Sequence, residues 1–275
     1  ADSGDVSMSP NGRYVAFSTG SDNLGGGDSN VYDDVYVRDL TAHKTYRASV
    51  PVAGKKIDGN SIQTCMSDTG VVGFGSNSNH LVAAQQPDPA VDEIYVRDIV
   101  HHATKEASVS NGGDPGEMNS FNCDISANGR YIVFDTFSPN LSGKDGNPND
   151  IFLRDIQAGK TYLASVGMNG TEADDDSQFP AVSDSGRYVA FESESDNLIA
   201  NDGNMVQDVF RYDRTTKVTK RLSVATGGAA GNNGSSYVEL SGDGTWAVFA
   251  SAADDLVAND DNHHVDIFER GPLPT

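Results

Sequence analysis

The apolar and polar positions of this chain fall into one pattern that returns five times. Each return is marked by an apolar residue in front of a serine: Met8-Ser9, Met66-Ser67, Ile125-Ser126, Val182-Ser183 and Leu240-Ser241, with the serines 58, 59, 57 and 58 residues apart. A Gly-containing turn follows, and then a nearly unbroken apolar run such as Tyr14-Val15-Ala16-Phe17 or Tyr131-Ile132-Val133-Phe134. Such runs read as strands covered on both faces. The Asn-Gly of repeats one and three and the Asp-Gly of repeat five predict two-residue hairpins, because these dipeptides supply positive φ angles.

Two further β signals complete each repeat. The third is Asp34 to Asp39, echoed at residues 93–98, 150–155, 208–213 and 266–270, and the fourth spans residues 46–50, 106–109, 162–166 and 221–224. No stretch carries a helical period. The reading is an all-β, five-bladed β-propeller with about 58 residues and four antiparallel strands per blade. It forms a single closed domain over residues 1–275, with blades at roughly 5–60, 61–118, 119–176, 177–234 and 235–275. Repeat five runs out after its third strand, so the last blade is expected to be three-stranded, with its outer edge blunted by prolines or open to a partner strand.

Over residues 5–270, the Ser-Pro-Asn-Gly turn at residues 9–12, the apolar strand and the Asp-Val-Tyr-Val-Arg-Asp strand resemble the TolB-type, WD40-like β-propeller repeat. The resemblance implies the propeller fold. Function does not follow from it, because propellers of this kind serve as binding modules, peptidase gates and polysaccharide lyases.

Charge narrows the partners. With 40 acidic against 19 basic residues and a net charge of −21, the chain lacks the clustered Lys and Arg that nucleic acid requires. No apolar run reaches the roughly 18 residues of a membrane helix. The chain opens on Ala1 rather than Met, as after removal of a leader or after trimming, and the expected location is secreted or periplasmic.

Loop lengths divide the two ends of the blades. The a–b and c–d turns are short, whereas the b–c and d–a connections are long and share the other face, so binding is expected there. The b–c loops carry an Asp-x-Asn…Asp pattern: Asp28, Asn30 and Asp34; Asp145, Asn147 and Asp150; Asp202, Asn204 and Asp208; Asp260, Asn262 and Asp266. Hard oxygen ligands at this spacing suit calcium, and the same residues also suit ordinary turn closure. Repeat two, with Asp88 and Glu93, breaks the pattern. His263 and His264 adjoin the last loop, while His43, His101 and His102 fall on the short-turn face.

Five residues are candidates for the mouth of a central channel: Asn60, Asn119, Asp124, Asp176 and Glu239. Asp124 and Glu239 share one repeat position, so both should approach the axis. The two cysteines, Cys65 and Cys123, are offset by one residue within adjacent innermost strands and point to opposite faces, which permits a disulfide between blades two and three. Two buried thiols are the other reading. The sequence therefore describes a secreted module that binds a glycan, peptide or protein through its acidic loop-rich face, with calcium as a candidate cofactor. A polysaccharide lyase or hydrolase working at the channel mouth is the alternative.

Overall fold

The computed structural model describes residues 3–24, 30–83, 91–141 and 148–275. Blade one consists of β1 (Ser3–Met8), β2 (Tyr14–Thr19), β3 (Asp34–Asp39) and β4 (Lys44–Arg47). Blade two has β5 (Ser61–Met66), β6 (Val71–Ser76), β7 (Glu93–Asp98) and β8 (Ala103–Glu106). Blade three has β9 (Ser120–Ile125), β10 (Tyr131–Thr136), β11 (Asp150–Asp155) and β12 (Lys160–Leu163). Blade four has β13 (Ser177–Val182), β14 (Tyr188–Ser193), β15 (Asp208–Asp213) and β16 (Val218–Arg221), and blade five has β17 (Ser235–Leu240), β18 (Ala247–Ser251) and β19 (Asp266–Arg270). Every sheet is an antiparallel meander in chain order, four-stranded in blades one to four and three-stranded in blade five. Two single-turn 3₁₀ segments, Pro139–Leu141 and Met168–Gly170, are the only helical pieces among the described residues.

The repeat serine has one job in all five blades. Its hydroxyl accepts the backbone N–H that opens strand b, from Tyr14, Val71, Tyr131, Tyr188 and Trp246, each at 3.0 Å. Only the glycine of each turn, Gly12 to Gly244, has positive φ. Ser9 N–H closes on Tyr14 C=O with four residues between them, and Gly12 N–H bonds Ser9 C=O. The hairpin is therefore a type I turn followed by a left-handed glycine, rather than the two-residue turn expected. The strand-d signal also resolves differently. These strands end by Arg47, Glu106, Leu163 and Arg221, and the Ala/Leu-Ser-Val step that follows turns its serine toward strand c.

Blade interiors repeat as closely. One aromatic pair joins strands b and c in each blade, Phe17–Tyr36, Phe74–Tyr95, Phe134–Phe152, Phe191–Phe210 and Phe249–Phe268, with centroids 6.0–6.3 Å apart. Between blades, strand a packs across strands a, b and c of the blade before it, as β5 does on β1, β2 and β3. Four apolar clusters fill these four interfaces.

No packing of that extent joins β1 to β17, β18 and β19 among the described residues. Met8 is consequently 62% exposed where Met66 is 4%, and Trp246, Val248 and Ile267 lie exposed on the facing side of blade five. The structure thus gives a propeller-type array of five blades and does not confirm the closure expected from the repeat.

Blade two carries a buried charge reversal. Glu106 stands opposite Tyr95, the register place held by Arg47 opposite Tyr36 and by Arg221 opposite Phe210. Glu93, buried beneath it, is pushed up to about 8 by burial and secondarily by Glu106, against the pull of the Ser108 and Ser120 hydroxyls. A carboxyl raised in this way is neutral in the fold and ionises freely only on unfolding. Its contribution is present in acid below the unfolded value near 4.3 and is lost as pH rises through about 8. Glu93→Gln is expected to flatten that slope, leaving the variant more stable than the parent at pH 9 and equal to it at pH 5 in urea unfolding.

Candidate functional site

The five a strands enclose a central pocket of about 780 Å³, lined by residues of β1, β5, β9, β13 and β17 and by the a–b turns. Each a strand is bulged at one place. Ladder register slips there in all five blades, and the residue at the slip has left-handed φ: Asp5 at 43°, Gln63 at 54°, Asn122 at 48°, Phe179 at 49° and Tyr237 at 53°. A bulge re-aims a side chain, and here all five belong to the pocket lining.

Positive φ is a real cost for an aromatic residue and persists only where the surroundings impose it. The bulge itself is common to all five strands, and at the two aromatic residues buried carboxylates on the b strands hold it. Glu192 Oε2 accepts the Tyr237 N–H at 2.8 Å. Asp135 accepts the Asn149 amide at 2.8 Å; burial raises it to about 6, against the pull of Asn149, Asn122 and the Phe179 N–H. Phe179 and Tyr237 are thereby held as a tilted pair, with centroids 5.5 Å apart and planes at 57°. The counterparts of Asp135 and Glu192 in the preceding blades are Ser18 and Gly75, so the carboxylate clamp is specific to the two aromatic bulges.

Two residues beyond the bulges of β9 and β17, Asn122 and Tyr237, lie Asp124 and Glu239, the pair expected near the axis. Both line the pocket. Asp124 accepts the N–H groups of Val182 (2.8 Å) and Ile125 (2.7 Å); burial raises its carboxyl in spite of them. Glu239 opens onto the pocket but is walled by protein, and burial followed by the charge of Asp124 lifts it to about 7. Two carboxylates that each disfavour the other's ionisation make a site that gains from a cation.

Asn60, Asn119 and Asp176 do not line the pocket. Their side-chain oxygens accept the backbone N–H of Asp33 (3.1 Å), Asp92 (2.9 Å) and Asn149 (2.8 Å) in the preceding blade. All three sit directly before the first serine of strand a and act as clasps between blades.

The Asp-x-Asn loops close on themselves. Asn30, Asn204 and Asn262 donate through Nδ2 to Asp34, Asp208 and Asp266 at 2.9, 2.8 and 2.7 Å. In blade four the buried Arg221 guanidinium forms ion pairs with both Asp202 (2.5 Å) and Asp208 (3.1 Å), the latter without hydrogen-bond geometry, and in blade one Arg47 bonds Asp34. Positive charge thus already faces these carboxylates. In blade three, Asp150 accepts from Ser165 at 2.5 Å. Asp28, Asp88, Asp145 and Asn147 lie outside the described residues. Among the described residues Asp260 and Asp266 face no guanidinium, and no group of three or more His, Cys, Asp or Glu is gathered to hold a metal. On the loop-rich face, Asp175, Glu194, Asp196, Met205 and Gln207 line a second pocket of about 460 Å³.

Cys65 and Cys123 form a disulfide across β5 and β9, with Cα atoms 5.9 Å apart. Gly73 makes room for it, since a Cβ there would stand 2.5 Å from Cys65 Sγ. Ala16 and Val133 occupy the same place in the neighbouring blades.

The bulge residues were not legible as a site, because each is ordinary on its own. Their signal is a constant offset of four residues before the repeat serine at which the five residue types share no chemistry.

No protein-family model and no curated protein matches the chain. Among solved structures it is similar to TolB from Acinetobacter baumannii, at 13% identity and a TM-score of 0.51, over 99% of this chain and 54% of that one. A putative TolB from Agrobacterium tumefaciens aligns at 16% identity and a TM-score of 0.48, over 98% and 74% of the two chains. The chain thus spans about half the length of the first of these. At such identity the likeness concerns the fold, which is a TolB-like propeller type.

Proposed function

We propose that the chain is a binding module whose central pocket takes a protein or peptide segment presenting a Lys or Arg side chain. The observation that carries this reading is the pairing of Phe179 and Tyr237, clamped by Asp135 and Glu192, in one pocket lining with the carboxylates Glu239, two residues beyond Tyr237 on β17, and Asp124 on β9. An aromatic wall next to mutually repelling carboxylates favours a cation through both ring quadrupole and charge. The net charge of −21 adds long-range attraction for a basic partner. A peptide array read against a glycan array tests the ligand class. Basic peptides should bind the parent and lose at least tenfold in Tyr237→Ala, whereas preference for neutral glycans would overturn the reading.

The raised Glu239 supports a second reading, a polysaccharide lyase or hydrolase, because a carboxyl near 7 beside a second carboxylate can serve as general acid or base. Release of reducing sugar or of unsaturated ends from acidic polysaccharides, lost in Glu239→Gln, would favour it over binding alone. Calcium belongs to this account as a proposed ligand of the blade-five loop, where Asp260 and Asp266 face no guanidinium among the described residues; an unchanged melting temperature on adding calcium would remove it. The disulfide supports a secreted or periplasmic setting, since such bonds persist in oxidising compartments.

A further inference from the structure

Three of the blade interfaces are filled on the short-turn side by an Arg-Tyr pair at the start of strand b. Arg13, Arg130 and Arg187 each bind the aspartate that ends strand c, Asp39, Asp155 or Asp213, at 2.7–2.8 Å. The same guanidinium lies 4.7–4.9 Å over the ring of the next residue, Tyr14, Tyr131 or Tyr188. These rings are buried and reach the turn glycine of the following blade. A Cβ on Gly186 or Gly244 would stand 2.5 or 2.4 Å from Tyr131 or Tyr188, and one on Gly70 3.6 Å from Tyr14. In blades one and three a second tyrosine stands on strand d, Tyr46 opposite Val37 and Tyr162 opposite Leu153. Arg214 of the following blade covers both Tyr131 and Tyr162, at 5.4 and 4.9 Å.

Blade two lacks all three side chains. Its turn is one residue shorter: Ser67 accepts the N–H of Val71, four residues on, where the other repeat serines accept from a residue five on. Gly70 keeps the left-handed position of Gly12 and Gly129 and is followed directly by Val71, so the arginine is the residue lost. Val71 takes the place of Tyr14 opposite Asp98, and Lys105 that of Tyr46 opposite Val96. Between blades two and three there is accordingly a pocket of about 370 Å³ whose lining includes Val71, Val96, Ala103 and Ile156 together with Asp98 and Lys105. Ile156 is the counterpart of Ile99, which shares an apolar cluster with Tyr14 at the interface before, so this wall already suits a ring. Asp98 accepts from no guanidinium among the described residues; it bonds the N–H groups of its own turn and the exposed His101 ring, at 2.6 Å. Its side chain is 28% exposed, against 5, 6 and 13% for Asp39, Asp155 and Asp213.

We propose that the gap between blades two and three docks a partner protein that presents an exposed Arg-Tyr pair, the ring entering between Val71 and Ile156 and the guanidinium reaching Asp98. The molecule itself specifies this occupant, because its other interfaces fill the same place with that pair. An aliphatic side chain would cover the apolar walls without meeting Asp98. A lone arginine would meet Asp98 and leave the walls uncovered, so both halves of the pair are needed. No residue of this pocket lines the central one, and the site is independent of the ligand assigned there.

The test is methyl-detected NMR of the full chain titrated with acetyl-Gly-Arg-Tyr-Gly-amide. Saturable ring-current shifts are expected at Val71, Val96, Ala103 and Ile156, the methyl groups of this pocket. Replacing the peptide's tyrosine by leucine or its arginine by glutamine should weaken binding about fivefold or more, changes that leave the protein untouched. Asp98→Asn keeps an oxygen for the turn N–H groups and should weaken the arginine peptide more than the glutamine peptide, as a direct pair requires. Val71→Tyr supplies the ring from within the blade and should abolish the shifts; Lys105→Tyr, on the outer strand, is a second blocking variant with the same expected result. Tyr237→Ala should leave the shifts unchanged, because the peptide is not in the central pocket. Equal binding of the leucine peptide, no saturation at millimolar concentration, undiminished binding in both blocking variants, or shifts confined to the central-pocket methyl groups of Val182, Val238 and Leu240 would each overturn the proposal.

Discussion

Arg221→Ala is expected to lower the unfolding free energy by about 3–5 kcal/mol, the usual cost of leaving buried charge without its partner. Arg221 is buried with both of its carboxylates, Asp202 at 2.5 Å and Asp208 at 3.1 Å. Burial already raises both carboxyls with the guanidinium present. After its removal Asp208 keeps only the donors Ser223 (2.6 Å) and Asn204 (2.8 Å). The deficit therefore has a pH signature. The orphaned carboxylates can take up protons, so the loss should be largest at neutral and alkaline pH and shrink as pH falls toward 4. Urea unfolding at pH 4 and pH 8 checks this, and a loss below about 1 kcal/mol at pH 8 would show that Arg221 contributes no more than a surface pair does.

Opening the Cys65–Cys123 bond is the second large effect. The bridge spans 58 residues, for which the chain-entropy account gives roughly 4 kcal/mol at 25 °C. The replacement Cys65→Ala with Cys123→Val isolates the bond, because Ala181 and Val238 already occupy those repeat positions in blades four and five. The double variant should unfold at markedly lower denaturant, and dithiothreitol should shift the parent in the same direction without affecting the variant. Two titratable thiols in unreduced, denatured protein would contradict the bridge itself.

Most of the scaffold was legible because its rules act locally and repeat. The serine hydroxyl on the strand-b N–H, the left-handed glycine after it and the Phe–Tyr or Phe–Phe pair between strands b and c are each set by a few neighbouring residues, and five copies average out the exceptions. Asp124 and Glu239 were legible for a related reason: a carboxylate at the repeat position of Ser7, Cys65 and Ala181 breaks an otherwise small or uncharged series. Asn60, Asn119 and Asp176 look like ligands for the opposite reason. They are polar residues at one repeat position, and the repetition itself marks them as parts of the scaffold, where a side-chain oxygen secures the next blade to the one before.

The rest was hidden by physics that has no compositional mark. A bulge built on non-glycine residues looks in sequence like any strand, so Phe179 and Tyr237 read as ordinary strand residues until backbone angles show them turned toward the axis. Their clamps, Asp135 and Glu192, sit inside apolar b strands, where a lone carboxylate reads as an exception without a partner. Closure between blades one and five depends on global curvature, which no local pattern encodes. The Asp-x-Asn loops illustrate ambiguity of chemistry: oxygen-rich side chains that suit calcium suit an arginine equally well, and it is strand d, a dozen or more residues away, that brings Arg47 and Arg221 to them.

The central claim is that Glu239, beside Asp124 and the clamped aromatic pair, makes the pocket a site for a cationic side chain. With its carboxyl lifted to about 7, Glu239 should be largely neutral at pH 6 and largely ionised at pH 8, so affinity for a cation must rise across that interval. Isothermal titration of an array-selected Lys or Arg peptide into the parent and into Glu239→Gln decides the matter. The expected result is an affinity for the parent that rises up to about tenfold from pH 6 to pH 8, with Glu239→Gln weak and flat. Affinity independent of pH in the parent, or unchanged in Glu239→Gln, would contradict it.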